Sequence, residues 1–272
     1  MSEESSIESK SIDGIFMELS NNTRCSMLLN LMSEPMRLST LAYKIGISIQ
    51  DAHRNISRLI RAGMVVKSND GKFILTEYGR LISYELSYFI FLNEFKPFMH
   101  RYTFSHIPNR FMHRLNVLSE CRIIYGVSSV LEKLKSLERN AREYFNIIVA
   151  QAWYEEGLIL LDLIEQGVDV RMVLSSYTLL PKEIHESDIS KSLIDNSKHG
   201  RMRCRFIDHV GAALYISESQ AAMVPITHSM EFDMNLLLIS DDEGFYSLCS
   251  DIFEYYWDNS TTVDSNRLRV VG

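Results

Sequence analysis

Along the first quarter of the chain, apolar positions recur every three or four residues in short runs, and turn-forming residues separate the runs. Ile12 to Leu19 and Thr23 to Met32 read as two helical stretches, the second with Met27, Leu28 and Leu31 at helical spacing. Leu38 to Ile45 is a short helix that stops at Gly46, because glycine accepts the left-handed backbone of a helix C-terminus without a Cβ penalty. Ser48 opens the next helix. Its hydroxyl can take a free amide, and Asp51 three residues on makes a capping-box-like pair that also suits the helix dipole. Over 48–62 the stripe expected to be buried is Ala52, Ile56, Leu59 and Ile60, while Gln50, His53, Arg54, Ser57, Arg58 and Arg61 fall on the other side. Gly63 ends this helix. Two short β-prone runs, Met64 to Lys67 and Lys72 to Leu75, flank Ser68-Asn69-Asp70-Gly71, a hairpin signal. Helix, helix, glycine turn, helix and hairpin make a winged helix-turn-helix, predicted for 1–75.

Thr76 can cap a long helix that runs to Phe95 and is apolar almost all round between Leu86 and Leu92. Such a helix must be covered on more than one side. Little winged-helix core remains to cover it, so a twofold partner is the economical cover, with packing onto the C-terminal domain as the alternative. Residues 76–120 are therefore predicted to be a dimerisation helix and linker, broken at Lys96-Pro97. From Arg122 the pattern changes: Arg122-Tyr125, Phe145-Val149 and Val168-Leu174 are β-prone, with helices between, a rhythm of parallel strands and crossovers. Cys204-Ile207, Ala212-Ile216, Ala221-Pro225 and Asn235-Ile239 lack helix-length spacers and are expected to finish the sheet as antiparallel strands. A last helix, Gly244 to Trp257, packs on it, and the tail from Asn259 is polar. The fold class is α+β, ending in an α/β effector domain with a mixed sheet over 121–272.

Composition leaves this picture standing. The chain has 272 residues, 46% hydrophobic and 23% charged, which suits two globular domains. Cys25, Cys121, Cys204 and Cys249 show no zinc or disulfide spacing. The leader MSEESSIESK is acidic and polar, and no run of about 18 apolar residues occurs, so a cytoplasmic protein without a membrane partner is expected. Charge changes more. The net charge of -7 argues against nucleic acid, yet Thr23 to Arg80 holds nine basic and four acidic residues, a surplus of +5. That asymmetry suits a basic reading head on an acidic body.

The chemistry expected of the head is major-groove reading of double-stranded DNA. Gln50, His53 and Arg54 lie near the end of the helix that points at base edges, where Arg suits guanine and Gln suits adenine. Ser57 shares that face, and Ser48 opens the helix. Arg58 and Arg61 lie further along, placed to hold phosphate. Ser39 and Thr40 are phosphate candidates at the preceding helix start, and Lys67 and Lys72 flank the wing tip. A single exposed histidine such as His53 is more often an ordinary surface residue than a base reader. A ligand in the second domain would collect beyond the carboxyl ends of parallel strands: Tyr125 and Ser128 after one, Gln151, Trp153 and Tyr154 after the next, Ser175 and Tyr177 after the third. Trp153 and Tyr154 also begin a helix and can simply pack on the sheet. His100, His106 and His113 lie near one another in the linker without a metal-ligand pattern, and His185-Glu186 lacks a second histidine, so neither metal nor cofactor is expected. Asp251, Glu254, Tyr255, Tyr256 and Trp257 keep open a protein-docking role for the C-terminal domain.

The segment LSTLAYKIGISIQDAHRNISRLIRAGMVVKSNDGKFILTEYGR resembles the winged helix of archaeal-type regulators. IPNRFMHRLNVLSECRIIYG, then FD followed by LLLISDDEGFYSLCSDIFEYYW, resembles the effector domain of methanogenesis regulators of the Fil type. A more distant likeness is to sugar-sensing TrmB-type regulators, whose C-terminal domain is phospholipase-D-like. The resemblance covers roughly Thr23 to Trp257 and implies a dimeric transcription regulator that responds to a small-molecule effector. Asp233 matches the FD motif, as a ligand contact or as a turn anchor. Phosphodiesterases of that fold need His-x-Lys, and none of the eight histidines has Lys two positions on, so no enzyme is expected. The nearest approach, His199-Gly200-Arg201, reads as a turn.

Overall fold

Side-chain caps and two left-handed glycines, Gly46 and Gly63, set the helices of the first part of the chain. The computed structural model describes residues 13–198, 200, 202–263 and 269–271; the acidic leader, Ile12, His199, Arg201 and most of the polar tail lie outside the described residues. Packing divides the chain into Met1–Glu94 and Phe95–Gly272.

In the first unit α1 spans Asp13–Leu19 and α2 spans Asn22–Ser33, where the Asn21 side chain accepts the Arg24 N–H at 3.0 Å. α3, Leu38–Ile45, closes at Gly46 (φ 77°), whose N–H reaches the carbonyls of Ala42 and Tyr43. α4, Ile49–Arg61, opens at Ser48, whose Oγ accepts the Asp51 N–H at 3.0 Å. β1 (Val65–Lys67) and β2 (Phe73–Leu75) form the predicted antiparallel hairpin, and Met36 bridges to Phe73 as a third short edge. The face that α4 buries is Ala52, Asn55, Ile56 and Leu59; Ile60, predicted to be buried, is 40% exposed. Ile60 sits about 80° around the helix from Ala52, and Asn55 closes the stripe on the other flank.

α5, Glu77–Glu94, starts where predicted: the Thr76 hydroxyl accepts the Gly79 N–H at 3.0 Å and donates to the Gly63 carbonyl at 2.6 Å. It does not lack a core. Leu86 and Ile82 join Met27, Leu28 and Leu59 in one cluster, and a Cβ on Gly79 would collide with the Met64 carbonyl. The helix therefore belongs to the first unit, and residues 95–120 to the second, so the division by packing does not coincide with the predicted boundaries at 75 and 120.

The second unit begins with α6 (Lys96–Met99), β3 (Tyr102–Thr103), α7 (Asn109–Met112) and a 3₁₀ turn. Then follow β4 (Arg122–Tyr125), α8 (Val127–Asn140), β5 (Tyr144–Ile148), α9 (Tyr154–Glu165), β6 (Asp169–Ser175), β7 (Leu179–Pro181), α10 (Lys182–His185), α11 (Asp188–Lys198) and β8 (Met202–Ile207). β9 (Ala212–Ser217), β10 (Ala221–Thr227), β11 (Leu236–Ser240), α12 (Glu243–Asp258), β12 (Thr261–Thr262) and β13 (Arg269–Val271) complete it. The main sheet runs β12-β8-β6-β5-β9-β10-β11-β4, with β3 on β10; β13 pairs with β7 apart from it.

The sheet is mixed, but its parallel part is not the predicted one. β5, β6 and β8 are parallel neighbours, whereas β4 lies at the far edge, antiparallel to β11 and separated from β5 by three strands. β8, expected to be antiparallel, is carried back parallel by the α10–α11 crossover. β9 is buried at every position and β10 at all but its last. Both faces are covered, which is why these strands read as unbroken apolar runs. Phe145, Ile147, Ala213 and Tyr215 face the layer of α8 and α9, and α12 packs against β9, β10 and β5.

Candidate functional site

On α4, residues Gln50, His53, Arg54 and Arg61 are exposed, Ser57 and Arg58 are half-buried, and Ser39 and Thr40 lie exposed on the first turn of α3. Arg54 reaches back to Asp51 at 2.8 Å, an exposed pair worth about 0–1 kcal/mol that yields easily to a stronger anion. On the hairpin Lys67 stands over the Phe73 ring, its Nζ 5.9 Å from the centroid, and Lys72 lies 3.8 Å from Asp70. Sequence reasoning missed Arg37. It occupies the N-cap of α3 without a capping bond, is exposed, and has no partner among the described residues. The signal was legible: a cation stands where Ser, Thr, Asp or Asn would cap.

Arg58 is not a free phosphate holder. The Glu18 carboxylate accepts from its Nη2 at 2.7 Å and its Nε at 3.2 Å, and pairs with Arg24 Nε at 2.8 Å. Arg24, 5% exposed, also donates to the Met17 carbonyl and to Asn55 Oδ1, so this network fastens α1 to α2 and α4. The Arg58 hydrogen bond, opposed by burial and helped by the charge of Arg24, holds the Glu18 carboxyl below the usual carboxylate range. Counting from residue 13 to 94, nine basic residues meet eight acidic, so the +5 window reduces to +1. Any positive field at α4 comes from placement, not from surplus.

In the second unit, a cavity of about 180 Å³ opens beyond the carboxyl ends of parallel strands and is lined by Gln151, Tyr177, Leu179, Glu231, Phe232 and Met234 among others. Gln151 follows β5 and Tyr177 follows β6, while His209 follows β8. The Tyr177 hydroxyl hydrogen-bonds to His209 Nδ1 at 2.8 Å and to His106 Nε2 at 3.2 Å, and the two imidazoles stack with centroids 5.0 Å apart. Burial, then the neighbouring His209, lowers the His106 pKa, so His106 is neutral at physiological pH. Tyr177 and Phe232 meet edge to face at 75°, centroids 6.5 Å apart. Glu231 and Phe232 arrive on a turn in which Met230 holds a left-handed backbone, φ 63°, uncommon for a side chain of its size.

Of the sequence-derived ligand residues, only Gln151 and Tyr177 line this cavity. Tyr125 and Ser128 are exposed at the far edge of the sheet, because β4 is an edge strand. Trp153 is the N-cap of α9, its N–H bound to Glu156 Oε2 at 3.4 Å, and Tyr154 is exposed. Ser175 is buried at the end of β6, its N–H donating to Thr178 Oγ1 at 3.0 Å across the turn that follows. Asp233 is an anchor, accepting from Tyr102 Oη at 2.7 Å, Arg101 at 2.8 Å and the Asn235 N–H at 3.0 Å. His106, His209, Glu231 and Phe232 were missed, since no local spacing joins residues so far apart in sequence.

The C-terminal aromatic run is largely spent within its own unit. Tyr256 and Phe253 are buried, Glu254 pairs with Arg171, and the Trp257 ring lies under the guanidinium groups of Arg171, Arg203 and Arg205. Burial pushes the Cys121 and Cys204 thiols up to about 12, which leaves both un-ionised at neutral pH. Among the described residues no group of three or more His, Cys, Asp or Glu side chains could hold a metal ion, and no helix is long and apolar enough to cross a membrane.

No known family profile matches the chain, and no curated protein matches it. Among solved structures it is similar to TrmBL2, described as an archaeal chromatin protein with a novel mode of DNA binding, at 12% identity over 93% of this chain and 100% of that one, TM-score 0.42. It is also similar to NucT from Helicobacter pylori, at 11% identity over 53% of this chain and 98% of that one, TM-score 0.41. A third likeness is to the adhesin competence repressor AdcR from Streptococcus pyogenes, at 22% identity over 32% of this chain and 75% of that one, TM-score 0.25. At such scores these likenesses carry no argument, and the reading below rests on the chain's own residues.

Proposed function

We propose that the chain is a non-catalytic, cytoplasmic transcription regulator: a winged helix-turn-helix that reads duplex DNA through α4, joined to a phospholipase-D-like domain that senses a small molecule. The observation that carries the reading is the division of α4. Ala52, Asn55, Ile56 and Leu59 are buried, and Gln50, His53, Arg54 and Arg61 stand outward on a helix opened by the Ser48 cap. A helix of this build fits the major groove, with Gln50 and Arg54 nearest the bases. Arg37, Ser39, Thr40, Arg61 and Lys67 would hold phosphates. Ser57 flanks the base-reading residues, and Arg58 acts by rigidity through Glu18.

The reading includes a homodimer. α5 leaves Leu81 56% and Tyr84 54% exposed, with Tyr78 and Phe89 exposed on the same arc among Glu77 and Glu85, large apolar side chains suited to a second copy. Two heads across a twofold axis would read half-sites about 34 Å apart or a multiple of it. In light scattering, Leu81→Glu with Tyr84→Glu should halve the mass of the native species; an unchanged mass removes the α5 dimer.

The DNA reading is tested with the full chain on duplexes selected from a random library. Gln50→Ala with Arg54→Ala should abolish sequence preference, whereas Lys67→Ala should weaken all duplexes alike and reduce the salt slope by about one. If the double variant keeps both affinity and preference, α4 is not the reading helix.

A further inference from the structure

We infer that the cavity at the carboxyl ends of β5 and β6 binds a small organic cation, an amine or a quaternary ammonium; as the ligand of the sensing domain, it rests on the reading above. Its volume, about 180 Å³, falls below the roughly 300 Å³ at which drug-sized sites begin and far above what one water needs, so the ligand is a compact molecule. The lining sets its charge. Glu231, exposed to solvent, is the one charged residue among those that line the cavity, and among the described residues no cation pairs with it. The Arg101 guanidinium pairs with Asp233, two residues further along the chain than Glu231, at 2.8 Å. An anionic ligand would meet the Glu231 carboxylate without compensation.

The walls favour the same class. Tyr177 and Phe232 meet nearly at right angles and form an aromatic corner, and aromatic faces attract an alkylammonium group through the ring quadrupole. The Tyr177 hydroxyl is already engaged by His209 and His106, so Tyr177 offers a ligand its ring. His106 is neutral at physiological pH and adds no repelling charge. Gln151 supplies an amide for a polar substituent, and Met234 an adaptable apolar floor. The Met230 turn fits this use: a left-handed non-glycine residue is kept where the chain must deliver Glu231 and Phe232 to one rim.

The test is calorimetric titration of the full chain at pH 7.5 with choline, with tetramethylammonium, and with 3,3-dimethylbutan-1-ol, the neutral isostere of choline. Choline should bind at least about tenfold more tightly than the isostere. Glu231→Gln should bring choline down to the level of the isostere, and Phe232→Leu should weaken both cations; tryptophan-fluorescence melts confirm that each variant is folded. If the isostere matches choline, if neither cation saturates, or if Glu231→Gln leaves choline affinity unchanged, the assignment is overturned. Repeating the titration with a selected duplex separates the two readings: cation binding that leaves DNA affinity unchanged sustains the site and refutes its role as sensor.

Discussion

Replacing Glu156 by glutamine should flatten the pH dependence of the second unit's stability. Glu156, at the third position of α9, and Glu138, near the end of α8, are both buried and hydrogen-bonded to each other in the core. Burial raises both carboxyls, and the charge of Glu156 raises Glu138 further; Glu156 is pushed up to about 8 against bonds that act to lower it. Glu138 Oε2 and the Tyr215 hydroxyl are buried without a hydrogen-bond partner, so the pair has little means of tolerating a second negative charge. A carboxyl whose folded pKa lies above its unfolded value binds more protons when folded, so its contribution is fully present below about 4.5 and is lost as pH rises through about 8.

From 4.5 to about 8, at about 1.4 kcal/mol for each tenfold in proton affinity, the loss is about 5 kcal/mol at most. With a urea slope of about 2 kcal/mol/M, that moves the midpoint by about 2 M. Both tryptophans, Trp153 and Trp257, lie in the second unit, so their fluorescence follows its unfolding alone. Urea titrations between pH 5 and 9 should show the wild-type midpoint falling steadily. The variant, which keeps an acceptor for the Trp153 N–H, should lose roughly half of that fall or more, Glu138 retaining its own burial. Parallel curves for the two proteins would refute the assignment of this pH dependence to Glu156.

Glu18→Gln should loosen the first unit by about 1–3 kcal/mol, discounted on the side of the partly exposed Arg58, because Arg24 is left as a buried cation without its carboxylate. The pH sign is opposite to that of Glu156: the Glu18 carboxyl is lowered, so its contribution is present above about 4.5 and disappears on acidification, and faster hydrogen exchange in α2 and α4 of the variant at pH 7 but not at pH 3 would show it. Gly79→Ala sets packing against propensity. An alanine in α5 should gain about 1 kcal/mol as a helix former. Its Cβ meets the Met64 carbonyl, so the net effect should be a loss of about 1–3 kcal/mol, and a variant that melts higher would show that the α5 contact is misread.

What could be read from the residues alone is what short-range interactions decide. Ser48 with Asp51, Gly46, the hairpin turn before Lys72 and the cap at Thr76 act within a few residues, and all were legible because a cap or a left-handed turn needs only its neighbours. The polar face of α4 was legible for the same reason, since helical spacing sorts side chains before anything packs. Strand order was not. β4 and β5 point the same way and are joined by a helix, yet three strands came between them, because pairing is a choice among distant partners that spacing does not encode.

The sites divide along the same line. Gln151 and Tyr177 could be named from the rule that ligands collect at strand carboxyl ends, whereas Glu231 and Phe232 reach the cavity only through sheet register and the Met230 turn, and His106 and His209 meet only the Tyr177 side chain behind it. Arg58 shows the reverse error: its face and charge were read correctly from α4, but Glu18, forty residues earlier, determines what that charge is bonded to. Local chemistry settles which groups a segment can offer. Which of them stay free, and which are spent on one another, follows from long-range contacts that only the folded chain makes.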